Sequence, residues 1–196
     1  MKFVKTQVEL LDDKPYFEVL DKIETAGRTC YNSPKKNSLE DKEKFVRGII
    51  KRGHESVIEH ECLTFRVVTD RAIANEMVRH RIASYSQASS RYIDLSDIPV
   101  VFEEDDEALK SEIKNLVENA EKSYKKLIEL GAGKDVARSV LPLTTATEIV
   151  VTMNFRSLRH FLKLRSAKAA HKGIRIVAQQ MLDIMKEKYP VFVEDF

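Results

Sequence analysis

The sequence predicts an α+β fold in a single domain over residues 1–196, with a mixed or antiparallel sheet and clusters of helices, two of them long. Three observations lead there. Segments of strand period and segments of helical period both occur, without the regular strand–helix–strand alternation that builds a parallel sheet. The length of 196 residues suffices for one domain with a substantial core. No internal repeat, low-complexity tract or shift in composition marks a linker.

Each element has a local reason. Phe3, Lys5, Gln7 and Glu9 alternate against Val4, Thr6, Val8 and Leu10, the period of an opening strand. From Tyr16 to Ala26, Phe17, Val19, Leu20 and Ile23 share one helical face, and Gly27 is expected to end that helix. YNSPKKNS then carries turn chemistry. Ser38, with Asp41 three residues on, resembles a capping box with a shorter acid; it opens a helix bearing Phe45, Val46, Ile49 and Ile50, which Gly53 closes. In GHESVIEH, residues 53–60, Ser56 or His54 is expected to cap a short helix. CLTFRVVTD is rich in β-branched and aromatic residues and reads as a strand. Asp70 caps a following helix that runs through Val78 and delivers Arg79 and His80 at its end. Leu109, Ile113, Leu116, Val117, Ala120, Tyr124, Leu127 and Ile128 place a long amphipathic helix within Glu103 to Leu130, closing at Gly131. TATEIVVTMNF reads as a strand, Arg156 to Leu164 as a short helix and Ala167 to Tyr189 as a long one.

Composition narrows the function. Hydrophobic residues make up 43% and charged residues 33%, with 5 Pro and 6 Gly, which fits neither disorder nor a fibrous repeat. The balance of 33 basic against 31 acidic residues leaves +2, which argues against coating nucleic acid or membrane, so any basic function is local. MKFVKTQVELLDD lacks the continuous apolar run of a signal peptide, and no apolar stretch approaches transmembrane length. Cys30 and Cys62 lie far apart without a CxxC pattern, so neither a disulfide framework nor a structural zinc site is expected, and a reducing cytoplasm is the expected location.

Phosphate-binding enzymes commonly announce themselves through glycine, yet neither GxGxxG nor GxxxxGK occurs, and GAGKD has the wrong spacing. A dinucleotide bound here must be held by side chains. GHESVIEH invites a metal reading, but His54 and His60 are six residues apart and point in different directions on a helix; no metal is expected. RHRIASYSQASSRY, residues 79–92, sets Arg79, His80 and Arg81 side by side, followed by serines, Gln87 and Arg91. Such a stretch can be a charged helix end facing the negative pole of the dipole. Alternatively, guanidinium forks and hydroxyls form a cradle for phosphate, and an anion relieves the crowding of cations. Downstream, in MNFRSLRHFLKLRSAKAAHKG, helical spacing puts Arg156, His160 and Lys163 on one polar stripe.

Taken together, these clusters resemble the flavin-dependent thymidylate synthases, whose signature is RHR, seven arbitrary residues, then Ser; here Arg79, His80 and Arg81 are followed by Ile82 through Ala88 and then Ser89. The match continues through Arg91 and Tyr92, and GHESVIEH and MNFRSLRHFLKLR look like flanking family segments, so the resemblance spans residues 53–165. It implies methylation of dUMP to dTMP with 5,10-methylenetetrahydrofolate as carbon donor and FAD, reduced by NADPH, as hydride source. It also implies a homotetramer with sites shared between subunits. No cysteine nucleophile is implied, and neither Cys30 nor Cys62 lies in the three clusters.

Residue by residue, the resemblance assigns Ser56, Arg79, His80, Arg81, Asn154, Arg156 and His160 to the flavin. It assigns Glu76, Arg79, Ser89, Ser90, Arg91, Arg138 and Arg165 to dUMP. Gln87 stands at a position serving both ligands, where many members carry glutamate and an amide still accepts and donates hydrogen bonds. Arg165 is the catalytic residue: the corresponding arginine contacts the uracil and favours ionisation at N3, and a permanently charged guanidinium stabilises negative charge developing on the ring. Two rival classes are a small RNA-binding or single-strand-binding module stacking bases on Tyr85 and Tyr92, and a metal-dependent hydrolase on His54 and His60.

Overall fold

A computed structural model describes residues 1–30 and 32–196; Tyr31, which opens the turn segment YNSPKKNS, lies outside the described residues. The observed class is the α+β one that the sequence predicts. In chain order the elements are β1 (Lys2–Val4), β2 (Gln7–Leu10), α1 (Tyr16–Thr29), α2 (Leu39–Lys51), a 3-10 helix (Glu55–His60), β3 (Cys62–Asp70), α3 (Arg71–Met77), β4 (Ser84–Gln87) and β5 (Pro99–Val101). There follow α4 (Glu107–Glu129), α5 (Lys134–Ala137), a 3-10 turn (Arg138–Val140), β6 (Ala146–Asn154), α6 (Phe155–Arg165), α7 (Lys172–Lys188) and a last 3-10 turn (Pro190–Phe192). Four strands hydrogen-bond in the order β2, β3, β6, β4, and β1 pairs with β5. The β1–β5 pair is parallel, Phe3 opposite Val100, whereas Val100 also bridges Thr145 in the antiparallel sense.

The chain divides into two compact units, Met1–Gln7 with Val67–Arg79 and Tyr85–Val150, and Val8–Arg66 with His80–Ser84 and Val151–Phe196. In the first, α4 is the main support. Asp106 accepts from the backbone N–H groups of Ala108 and Leu109, so the helix begins there and not at Glu103 as its period alone suggests. Val117 and Tyr124 are its buried residues; Val117 packs with Ile98 and Val100, and Tyr124 with Leu95 and Ala137. Gly131, at φ +89°, closes the helix in the left-handed conformation that favours glycine. The opening strand is interrupted after Val4, where the Thr6 N–H donates to Glu103 Oε1 at 2.9 Å in place of a ladder partner.

In the second unit α1 packs on α2, and α6 packs on α7. Ser38 caps α2 as expected, accepting from the Asp41 N–H at 3.1 Å, and Gly53 follows it at φ +71°. Gly27 departs from expectation: it lies inside α1, which continues to Thr29, and a Cβ there would stand 2.7 Å from Phe45 Cζ and 3.2 Å from Val57 Cγ1. Close packing, not helix termination, selects glycine at that position. Lys42, 1% exposed, reaches Asp21 Oδ1 at 2.6 Å and Glu24 Oε2 at 2.7 Å, so a buried charge is matched on both sides. Phe155, Tyr189 and Phe192 form an aromatic cluster with ring centres 4.4 to 5.6 Å apart. Arg159, 7% exposed, grips Asp195 through both carboxylate oxygens, at 2.7 and 2.8 Å, and also donates to the Phe192 carbonyl. These contacts seat the last turn against α6, the helix that carries the downstream candidate residues.

Candidate active site

The expected site residues fall into two groups, one in each unit. In the first, Asp70 accepts from the Ile73 N–H at 2.7 Å and starts α3, which carries Glu76 and stops at Met77. The Glu76 carbonyl accepts from the N–H of Val78 and of Arg79, which turns the chain out of the helix at Arg79. Tyr85 Oη donates to the Met77 carbonyl at 2.7 Å and ties β4 to that helix end. Burial pushes this phenol up to about 12, so it stays a donor.

Beyond Tyr85, Gln87 Nε2 donates to Thr147 Oγ1 at 3.3 Å and the Ala88 N–H to the Glu148 carbonyl at 2.8 Å. The loop then turns over on itself: Ser89 Oγ accepts from the Arg91 N–H at 3.3 Å, and the Ser89 carbonyl accepts from Tyr92 and Ile93. Ser90 is 5% exposed, and its hydroxyl accepts from Arg138 Nη1 at 3.5 Å. Arg91 lies exposed with its guanidinium 5.7 Å from the centre of the Tyr92 ring. Gln87, Ser89, Ser90, Arg91 and Arg138 thus gather around one loop, with Glu76 and Arg79 on the neighbouring helix end.

The second group is built on α6 and the residues after Arg79. Asn154, expected as a flavin ligand, caps α6 by accepting from the Ser157 N–H at 2.8 Å. Arg156 and His160 are exposed on one face of α6 with Lys163, the stripe that the spacing predicts. Arg156 Nη1 donates to Glu59 Oε1 at 2.6 Å, joining α6 to the 3-10 helix that bears Ser56. His54 stands at the start of that helix without a side-chain capping bond, and Ser56 lies within it, so neither caps it as expected. Its glutamates are ion-paired, Glu59 with Arg156 and Glu55 with Arg159.

Arg165 Nε donates to His80 Nε2 at 2.9 Å, so the His80 ring is an acceptor on that nitrogen and its proton sits on Nδ1. Burial, then the charges of Arg165 and His160, lower the His80 pKa from 6.5 to about 4. A neutral imidazole at pH 7 is what this contact requires. The His80 ring meets the Phe161 ring edge-on at 4.9 Å and the His160 ring edge-on at 6.1 Å. Arg81 is exposed and, among the described residues, has no carboxylate partner. Guanidinium donors, hydroxyls and a neutral imidazole beside an aromatic ring suit a group with a pyrophosphate and a planar ring system, so the donor chemistry fits a flavin dinucleotide.

One residue near the first group was not singled out from the sequence. Arg71 opens α3, the end of a helix where a cation is disfavoured by the dipole, and that misplacement was the available signal.

Arginines and hydroxyls gathered on an α+β fold without a glycine-rich loop are donors of the kind that can hold an anion. Residues 15–191 match the family model described as Thymidylate synthase complementing protein, and the chain belongs to that family. It is 36% identical over 190 residues to a flavin-dependent thymidylate synthase of Thermosipho africanus, spanning 87% of this chain and 83% of the relative. To the flavin-dependent thymidylate synthase of Pyrococcus furiosus it is 37% identical over 171 residues, 83% of this chain and 70% of that one. The crystal structure of a UMP/dUMP methylase, PolB from Streptomyces cacaoi, bound with 5-Br dUMP, superposes with a TM-score of 0.88 over 99% of this chain and 96% of that one. At 24% identity that likeness establishes the shared fold.

Proposed function

We propose that this chain is an FAD-dependent thymidylate synthase that methylates dUMP at C5 to give dTMP, taking the carbon from 5,10-methylenetetrahydrofolate. The relatives named above are flavin-dependent thymidylate synthases, and the fold is that of a structure holding 5-Br dUMP. The observation that carries the reading to the chemistry is the contact from Arg165 Nε to the neutral His80 ring. It orients the planar guanidinium, whose fork can donate to an ionised N3 of uracil and to the carbonyl oxygen beside it. A cation held there stabilises negative charge on the pyrimidine without carrying a proton.

The remaining residues take supporting roles. Ser89, Ser90, Arg91 and Arg138 hold the nucleotide phosphate, with Glu76, Arg79 and Gln87 orienting the rest of dUMP. Ser56, Arg79, His80, Arg81, Gln87, Asn154, Arg156 and His160 hold FAD. Bound and reduced by NADPH, FAD supplies the hydride that turns the transferred methylene into a methyl group. The working form is a cytoplasmic homotetramer of single-domain chains, with sites shared between subunits.

The test is an absorption spectrum of the purified protein before and after FAD is added, followed by dUMP-dependent oxidation of the reduced flavin with methylenetetrahydrofolate present. A flavin spectrum and dTMP formation are expected. A protein that takes up no flavin under any condition, yet binds oligonucleotides with steep salt dependence, would return the arginine stretch to the nucleic-acid reading.

A further inference from the structure

We propose that Arg71 is a further substrate-binding residue, which closes with Arg138 and Ser90 a pocket for the phosphate of the nucleotide. This rests on the function proposed above. Arg71 is anchored by its backbone: its N–H donates to the carbonyls of Leu143 and Thr145, at 3.0 and 3.1 Å, which sets the start of α3 against the segment that follows Arg138. Its side chain runs back to the Ser89–Ser90 loop, where Nη2 stands 3.5 Å from the Ala88 carbonyl. That contact is at the limit of a hydrogen bond. Nε is buried and has no partner, and among the described residues no carboxylate pairs with this guanidinium.

Arg138 is in the same condition. Its Nε donates to the Asp135 carbonyl at 3.2 Å and its Nη1 reaches buried Ser90 Oγ only at 3.5 Å, again with no carboxylate among the described residues. Burial and the neighbouring charge of Arg138 hold Arg71 below the ordinary arginine value, so the two cations repel each other across this loop. Two arginines at one loop, Arg71 on the Ala88 carbonyl and Arg138 on the buried Ser90 hydroxyl, each with loose neutral contacts, match a dianion. A phosphate monoester carries about 1.5 to 2 negative charges at pH 7 and three acceptor oxygens, enough to bridge both forks and the serine. The rival explanation is that Arg71 merely props the loop through the Ala88 carbonyl, and the two differ in what the substitution affects.

The experiment compares dUMP with deoxyuridine, which lacks only the phosphate, on FAD-loaded wild type, Arg71→Met and Arg71→Lys, by calorimetric titration, with flavin content as the check on folding. For Arg71→Met, dUMP affinity is expected to fall about 10- to 100-fold, the range for a lost charge-assisted contact, with deoxyuridine changed less than about twofold. Arg71→Lys keeps the charge but loses the fork and is expected to fall about 3- to 10-fold on dUMP alone; it decides the matter if the methionine variant loses its flavin. Unchanged dUMP affinity, or an equal loss for both ligands, overturns the assignment. Should wild type fail to bind dUMP, the proposed function falls instead, and the pocket is judged on inorganic phosphate. Phosphate binding lost on Arg71→Met supports it, and phosphate binding equal or absent in both overturns it.

Discussion

Substituting Arg165 by Gln reports on the proton of His80. The wild-type ring, at about 4, is protonated in roughly one molecule per thousand at pH 7, so Nε2 is open to the Arg165 donor. Burial is the first cause of the low value and Arg165 the second, so losing the charge raises the pKa but leaves it below 6.5. Stability is linked to the same ring. In the unfolded chain it takes up a proton near pH 6.5, in the native protein only near 4, so the native state is weakened as pH falls through that window and unaffected above it. The gap of about 2.5 units sets a ceiling of ~3.4 kcal/mol. The residue is partly exposed, and screening by water reduces the expected loss to about 1.5 kcal/mol at pH 4.5. The assay is NMR titration of the ring proton in wild type and Arg165→Gln, with urea unfolding of wild type and His80→Gln at pH 7 and 4.5. The advantage of wild type over His80→Gln should shrink by that amount on acidification. A wild-type midpoint near 6.5, or no upward shift in Arg165→Gln, refutes the reasoning.

Lys42→Met removes one of the two cations paired with the buried carboxylate of Glu24, leaving it to Arg28, and should cost about 2 kcal/mol in urea unfolding. Gly27→Ala forces a methyl toward the Phe45 ring, and a loss of about 1 to 3 kcal/mol is expected; a neutral result would mean that the ring swings aside at no cost. Asp70→Ala removes the cap of α3 and should lower stability by about 1 kcal/mol, together with weaker dUMP binding because Glu76 and Arg79 ride on that helix. Equal dUMP affinity in a measurably destabilised variant would separate the helix from the site.

What the sequence determined by itself is what neighbours along the chain decide. The β-branched run from Cys62 to Asp70 is β3 as read, and Ser38 and Asp70 cap the helices that they precede, because a cap bonds a backbone group three residues away. The apolar period of α4 and the left-handed Gly131 are likewise local. The chemical residues of the RHR segment and of α6 were legible as motifs, since dense cations and hydroxyls stand out in a chain of nearly neutral charge. Everything that depended on a distant partner waited for the tertiary structure. Thr6 breaks the opening strand because it meets Glu103, 97 residues on. Gly27 stands inside its helix as the residue that leaves room for Phe45, and α7 starts at Lys172, not Ala167, where His171 accepts the Gly173 N–H at 3.1 Å. The polar SYSQ of β4 has no strand signal of its own and takes its place beside β6. The same holds in the site. That His80 is neutral follows from its burial and from Arg165, 85 residues away, and that Arg71 shares a loop with Arg138 follows from packing, since charge and desolvation act through space and not along the chain.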